Sequence, residues 1–284
     1  MPDSTAAPVK KHRMSTKQRL LFFFVAWLIV LMPFLFWWNT WFGRQLSASK
    51  MTEYLQDEQH PRHIQHALVQ IGERMQRHDE TVKQNYPELI RLATHPVEEV
   101  RNTDAWVMGQ DTSGNGFHEA LLKMLNDSSP LVRGNAALSL VRYGDATGKP
   151  QILALLQPAT VMASQSGKVI DTAAVGTTIR SGGAVAKLQA GDETVEVRSP
   201  ITGKITSLRV QTGQNVTAGA EIATLAPEGD QVWEALRALF IIGKAEDLPV
   251  VQSYERELPE IPDRVRQQAL ETEKAIRGRA GSGV

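Results

Sequence analysis

Between residues 95 and 157, apolar side chains recur three or four positions apart, the spacing that gathers them on one face of a helix. "VRGNAALSLVRYGD" (132–145) carries Ala136, Leu140 and Gly144 in that rhythm. "VRNTDAWVMGQD" (100–111) begins 32 residues earlier and places Ala105 and Met108 on the corresponding face. Each is followed by a second amphipathic stretch, "GFHEALLKMLND" and "GKPQILALLQ", so the unit is a pair of helices and the pairs are expected to stack. "HIQHALVQIGERM" (63–75) with "YPELIRLATH" forms an earlier unit at the slightly longer spacing of 37 residues. The rhythm stops near residue 157 and resumes in "DQVWEALRALFIIGKAED" (230–247). There Ala235, Leu239, Ile242 and Gly243 stand where Ala136, Leu140, Tyr143 and Gly144 stood, 99 residues away instead of about 32. A segment the size of one small domain therefore interrupts the helical array, which a weaker unit, "IPDRVRQQALETEKAI" (261–276), closes.

The interrupting segment is rich in Val, Thr and Gly and reads as short strands joined by tight turns. It is internally duplicated. "GKVIDTAAVGTTIRSGGAVAKL" (167–188) aligns with "GKITSLRVQTGQNVTAGAEIATL" (203–225) when one gap is allowed, and the paired glycines Gly176 and Gly182, Gly213 and Gly219 mark turns that need φ > 0. Two similar four-strand halves predict a flattened barrel.

The helical units resemble the HEAT-like repeat family in its short form, D-x-x-x-x-V-R-x-x-A followed by a leucine-rich helix. Asp127, Val132 and Arg133 fit that pattern, whereas the unit at 100 has His95 at the Asp position. The inserted segment resembles the biotinyl/lipoyl-like family, which the "SPITGKI" turn and "GQNVTAGAEIATL" carry over about 69 residues. That family includes swinging-arm carriers and membrane-fusion adaptors of bacterial export systems. In carriers, the resemblance implies, the modified lysine stands at the hairpin between the halves, about eight residues before the proline of the turn. Counting back eight residues from Pro200 reaches Asp192, whose side chain cannot supply the amine that biotin or lipoate acylates. Lys187 lies before the tip and Lys204 in the distal turn, so the resemblance implies an unmodified module with no cofactor. Its acidic tip, Asp192 and Glu193, is the candidate protein contact. Adaptors of this family place a long helical hairpin between the half-motifs, and only "QAGDE" joins them here.

Residues 20–42, "LLFFFVAWLIVLMPFLFWWNTWF", contain no charged side chain and at 1.5 Å per residue reach roughly 34 Å, enough for a transmembrane helix. Trp37, Trp38 and Trp41 crowd one end, and Pro33 is a possible kink. Lys10, Lys11, Arg13, Lys17 and Arg19 precede the run while only Arg44 and Lys50 follow closely, which predicts a cytoplasmic N-terminus and an extracytoplasmic remainder. Ser47-Ala48-Ser49 offers small residues for cleavage, but the run exceeds the roughly 7 to 15 apolar residues of a signal-peptide core.

Composition narrows the chemistry. Lys plus Arg equals Asp plus Glu at 31 each, so no basic surplus points to nucleic acid. The absence of cysteine removes disulfides, thiol nucleophiles and thiolate zinc sites. His60, His63 and His66 recur every third residue, so His63 and His66 share a helix face, but no third ligand is evident and no metal site is assigned. "GNG" at 114–116 lacks the strand and the lysine of a phosphate loop. No nucleophile, acid or base constellation stands out, and no catalytic role is expected.

The expected fold class is α+β and multidomain: a single transmembrane helix, then an α-solenoid of HEAT-like helix pairs interrupted by a small all-β barrel-sandwich hybrid. The expected boundaries are a cytoplasmic basic tail (1–19), the span (20–42), repeats (43–157), the β domain (158–227), further repeats (228–278) and a disordered tail (279–284). The function expected is that of a non-enzymatic scaffold in a bacterial inner membrane. It would contact the bilayer through residues 20–42 and bind other envelope proteins through its repeats and barrel tip. The alternative is an export or efflux adaptor.

Overall fold

The computed structural model describes residues 15–41 and 45–281, with the side chains of residues 18 and 34–41 also outside the description. The chain forms two compact units, residues 1–47 and 48–284. In the first, helix α1 (Thr16–Trp41) covers the apolar run. Among the described residues, however, no helix is long and apolar enough to cross a membrane. The expectation of a transmembrane helix is thereby corrected, and the single-pass inner-membrane location and the bilayer contact fall with it. Lys10, Lys11, Arg13 and Arg44, and the side chains of Trp37, Trp38 and Trp41, lie outside the described residues.

The second unit begins with α2 (Ala48–Leu55) and continues as helix pairs: α3 (Pro61–Gln76) with α4 (Tyr86–Leu92), α5 (Glu98–Met108) with α6 (Phe117–Met124), and α7 (Pro130–Arg142) with α8 (Lys149–Ala154). After the β domain come α9 (Gly229–Ile242), α10 (Leu248–Gln252) and α11 (Asp263–Gly281). The faces read as apolar are the buried ones: Ile64, Leu68 and Ile71 on α3, Val100, Ala105 and Met108 on α5, Val132, Ala136 and Leu140 on α7, Ala235 and Leu239 on α9. Each first helix ends in the same device. Asp79, Asp111 and Asp145 accept a hydrogen bond from the backbone N–H two residues on, at 3.0, 2.9 and 2.8 Å, which turns the chain toward its second helix. This signal extends the array upstream to α3, where the repeat spacing is slightly long.

The inserted domain contains eight strands: β1 (Ala159–Met162), β2 (Gly167–Thr172), β3 (Thr178–Ile179), β4 (Ala184–Ala190), β5 (Glu193–Arg198), β6 (Gly203–Leu208), β7 (Asn215–Val216) and β8 (Glu221–Pro227). They form two four-stranded sheets, β1-β8-β6-β3 and β5-β4-β2-β7. The two sheets are copies of one another under exchange of β1 with β5, β2 with β6, β3 with β7 and β4 with β8. Gly167 and Gly203 show why the duplication keeps its glycines. A Cβ at either would lie 2.8 Å from the Gln189 carbonyl oxygen or 2.4 Å from that of Ala226. Gly176 and Gly213, with φ of 90° and 93°, hold matching turns. Val161, Val169, Val185, Leu188, Ile205, Ile222 and Leu225 from both sheets fill one core.

The insertion leaves the helical stack intact because its two ends meet. β1 pairs antiparallel with β8, with Ala159 opposite Leu225, so the chain departs from and returns to neighbouring points about 5 Å apart. The helices on either side are joined directly: Gln231 donates to the Leu155 carbonyl at 3.1 Å, Tyr254 to the Leu156 carbonyl at 2.6 Å, and Lys149 bonds Asp247 at 3.0 Å. Replacing residues 158–226 with a short Gly/Ser linker should therefore preserve the helical circular dichroism of the remaining chain, since repeat stability is built from nearest neighbours. Collapse of the helical signal would show that the β domain supports the stack.

Candidate functional site

The hairpin tip is built by β4 and β5, whose last ladder pair is Ala190 with Glu193. Gly191 and Asp192 alone make the turn, and Gly191 has φ of 63°, the first-position geometry of a type II′ hairpin. Asp192 and Glu193 are both exposed at this tip. The two lysines considered as modification sites lie elsewhere. Lys187 is half-buried within β4, in register with Asp171 on one side and Glu196 on the other, and Lys204 is exposed on β6 opposite Thr178 and Ala226. The two-residue turn carries the Asp192 carboxylate, with that of Glu193 on the first residue of β5, and no amine. Buried Ser199 anchors the adjoining turn, donating from Oγ to the Ile201 carbonyl at 2.6 Å.

The helical repeats are tied together by arginine. The Arg101 guanidinium donates to the carbonyl oxygens of His95 and Pro96 at 2.7 and 3.1 Å, and Arg133 repeats the arrangement on Asp127 and Ser128 at 2.7 and 2.9 Å. Arg101 also reaches into the next unit, gripping the Asp127 carboxylate with two bonds of 2.7 and 2.9 Å. Arg101 holds that carboxyl below the usual carboxylate range. His95, which departs from the repeat pattern, does the aspartate's local work. Its Nδ1 accepts from the Val97 N–H at 3.1 Å, as Asp127 accepts from Ser129 at 2.8 Å, and its Nε2 meets Glu58 at 2.9 Å. A ring nitrogen replaces a carboxylate oxygen here only in the tautomer with Nδ1 unprotonated.

Ser139 donates to the Ala105 carbonyl at 2.8 Å, and Thr272, seven residues after Val265 as Ser139 is after Val132, donates to the Leu236 carbonyl at 3.0 Å. The same bond thus joins neighbouring units on both sides of the insertion. A polar series, Gln76 to Gln110 at 2.9 Å and Arg142 to Gln110 at 2.7 Å, runs along the first-helix face. On the same face Trp106, Leu138 and Ile241 line a groove of about 360 Å3 with Arg142, Glu234 and Arg237. A larger groove, about 710 Å3, opens where Ile90, His95, Arg101, Glu119 and Lys123 converge.

Two polar sites were not legible as such in the sequence. Asp104 occupies the position equivalent to Ala136 and is completely buried, with neither carboxylate oxygen hydrogen-bonded. Burial pushes its carboxyl well above the usual range. The nearby cation Arg91 is already engaged by Glu58 at 2.6 Å and Glu88 at 2.7 Å. The second site involves the histidines. The structure joins His60 and His63 to Asp57, not to His66: His60 Nδ1 lies 3.0 Å and His63 Nδ1 2.7 Å from the Asp57 carboxylate. His66 Nε2 instead meets Gln70 at 2.8 Å. The hydrogen bonds from His63 and then His60 hold the Asp57 carboxyl below its ordinary value.

The family described as biotin-requiring enzyme matches residues 158–225, and the HEAT repeat family matches residues 119–145. The chain thus contains a biotin/lipoyl-type domain and a HEAT-repeat match within its helical part. No curated protein matches it. Among solved structures, a single-chain, multi-domain long-chain acyl-CoA carboxylase is 17% identical, covering 58% of this chain and 14% of that one with a TM-score of 0.25, too low to establish a shared fold. The chain accordingly spans about one seventh of that protein's length.

The buried carboxyl generates a stability prediction. Unfolded aspartate ionises near 3.9, whereas folded Asp104 keeps its proton to much higher pH. The native chain therefore binds more protons, and this group's contribution to stability, complete below about pH 4, is lost as pH rises toward the folded-state value. Asp104→Ala, which installs the residue found at the equivalent position in α7, should stabilise the protein at pH 7 by about 1–3 kcal/mol and remove that slope. Thermal unfolding of both proteins between pH 4 and 8 checks this; a less stable Asp104→Ala at pH 7 would contradict it.

Proposed function

We propose that the chain is a non-enzymatic scaffold that binds other proteins through its helical repeats and through the exposed tip of an unmodified biotin/lipoyl-type domain. The observation that carries the reading is the Gly191-Asp192 turn, which leaves no amine at the tip of the β4–β5 hairpin and presents two adjacent carboxylates, Asp192 and Glu193. Acylation by biotin or lipoate requires an amine nucleophile, so a carrier role has no attachment point at the position that role uses. The same two-residue turn disfavours an export adaptor, because the connection leaves no room for a helical hairpin between the halves. HEAT repeats supply extended surfaces suited to protein segments, and the grooves beside Trp106 and Lys123 lie on such surfaces.

Intact-mass analysis of the protein isolated from its own cells should show neither biotin nor lipoate. A photo-crosslinking amino acid at Asp192 should capture a partner, and Asp192→Lys with Glu193→Lys should weaken that capture while leaving the domain folded. Exposed charge pairs contribute about 1 kcal/mol or less each, so the loss should be several-fold and should shrink in high salt. A biotin or lipoyl adduct on Lys187 or Lys204 would overturn this reading and place the protein among carriers.

A further inference from the structure

Asp57, His60 and His63 come from the corner where α2 gives way to α3. The corner is tightly bonded: the His60 N–H donates to the Asp57 carbonyl at 3.0 Å and the His63 N–H to the His60 carbonyl at 2.8 Å. Pro61, at the first helical position, fixes the backbone next to His60. Two imidazoles consequently present the same nitrogen, Nδ1, to a single carboxylate, at 3.0 and 2.7 Å. One ligand atom from each residue lies within 4.8 Å of the other two.

A tetrahedral ion with bonds of about 2.0–2.1 Å needs donors roughly 3.3 Å apart, so the nitrogen–carboxylate separations of 3.0 and 2.7 Å must open by a few tenths of an ångström, while the two imidazole nitrogens already lie within 4.8 Å of each other. Two imidazole nitrogens and one carboxylate oxygen suit a late first-row divalent ion; Mg2+ and Ca2+ prefer all-oxygen sets, and no thiolate is present to favour Cu(I). The Tyr54 ring stacks on His63 with centroids 4.3 Å apart and planes 9° from parallel, which fixes the orientation of that imidazole as outer-shell partners of metal ligands do. His60 is 61% and His63 41% exposed, so an ion can enter from solvent and a coordination position stays open to water.

We propose that Asp57, His60 and His63 bind a late first-row divalent cation of the Zn2+ type, which fastens the loop after α2 to the first turn of α3. Ligation to the native state alone also raises the unfolding temperature.

The test uses the full chain, purified without a histidine tag, stripped with chelator and titrated calorimetrically with ZnCl2. The expected result is saturable uptake of one equivalent, a higher unfolding temperature with Zn2+, no comparable response to MgCl2, and a visible Co2+ absorption band of low coordination number. Asp57→Ala, His60→Ala and His63→Ala should each weaken Zn2+ binding at least about tenfold, whereas His66→Ala should leave it unchanged. Asp57→Asn and His63→Gln, checked for native circular dichroism, repeat the test with minimal change of shape. Absence of saturable uptake, or uptake undiminished in Asp57→Asn and His63→Gln, would overturn the proposal. Uptake that depends on His66 but not on Asp57 would overturn it as well.

Discussion

The antiparallel pairing of β1 with β8 is the constraint on which the rest of the second unit depends. A helical stack buries its apolar faces only against adjacent units, so a domain placed inside it must return the chain to the point of departure. The Ala159–Leu225 register does this. It allows α9 to continue the stack that runs through α7, with Gln231, Tyr254 and Lys149 sealing the join through bonds between residues 76 to 98 positions apart in sequence. The twofold duplication of the inserted domain serves the same end. With β1 and β5 in equivalent places, the incoming strand and the midpoint hairpin lie in different sheets, and the β4–β5 turn projects free of the strands that join the stack.

Polar groups specify the order of the stack while apolar side chains supply most of its stabilisation. Arg101 and Arg133 bond the loop before their own helix, and Arg101 then reaches Asp127 of the following unit. The side chains of this pair are only 13% and 10% exposed, which makes the two-bond geometry worth more than a surface ion pair. Ser139 and Thr272 add the same inter-unit bond before and after the insertion. Asp104 runs against this order, because it buries an unpaired carboxyl where the neighbouring unit has alanine.

Much of this architecture was legible in the sequence because repetition makes weak signals add. Val100-Arg101 and Val132-Arg133 set the period, and the displacement of Ala235 from Ala136 exposed the insertion. The glycines of the duplicated segment marked its turns, with Gly176 and Gly213 taking up the positive φ that such turns require. What the sequence hid depended on contacts between different elements or on protonation. Asp57 lies in a loop with no periodicity to connect it to His60 and His63. His95 substitutes for aspartate only as one tautomer. The run at 20–42 reads as a membrane span by length and composition, yet among the described residues no helix meets that requirement. The position of the acidic tip was implied by the biotinyl/lipoyl-like resemblance, through the offset of about eight residues between Pro200 and Asp192.

The continuity of the stack across the insertion can be measured directly because the chain contains no cysteine, so two introduced thiols are the only sites a label can reach. Nitroxides at Leu138→Cys on α7 and Arg237→Cys on α9, positions that line one groove, should give a single narrow distance set by neighbouring helices about 10 Å apart plus the label arms. A broad distribution reaching several tens of ångströms in pulsed electron paramagnetic resonance would mean that the segments before and after the β domain are separate bodies, and would contradict the account.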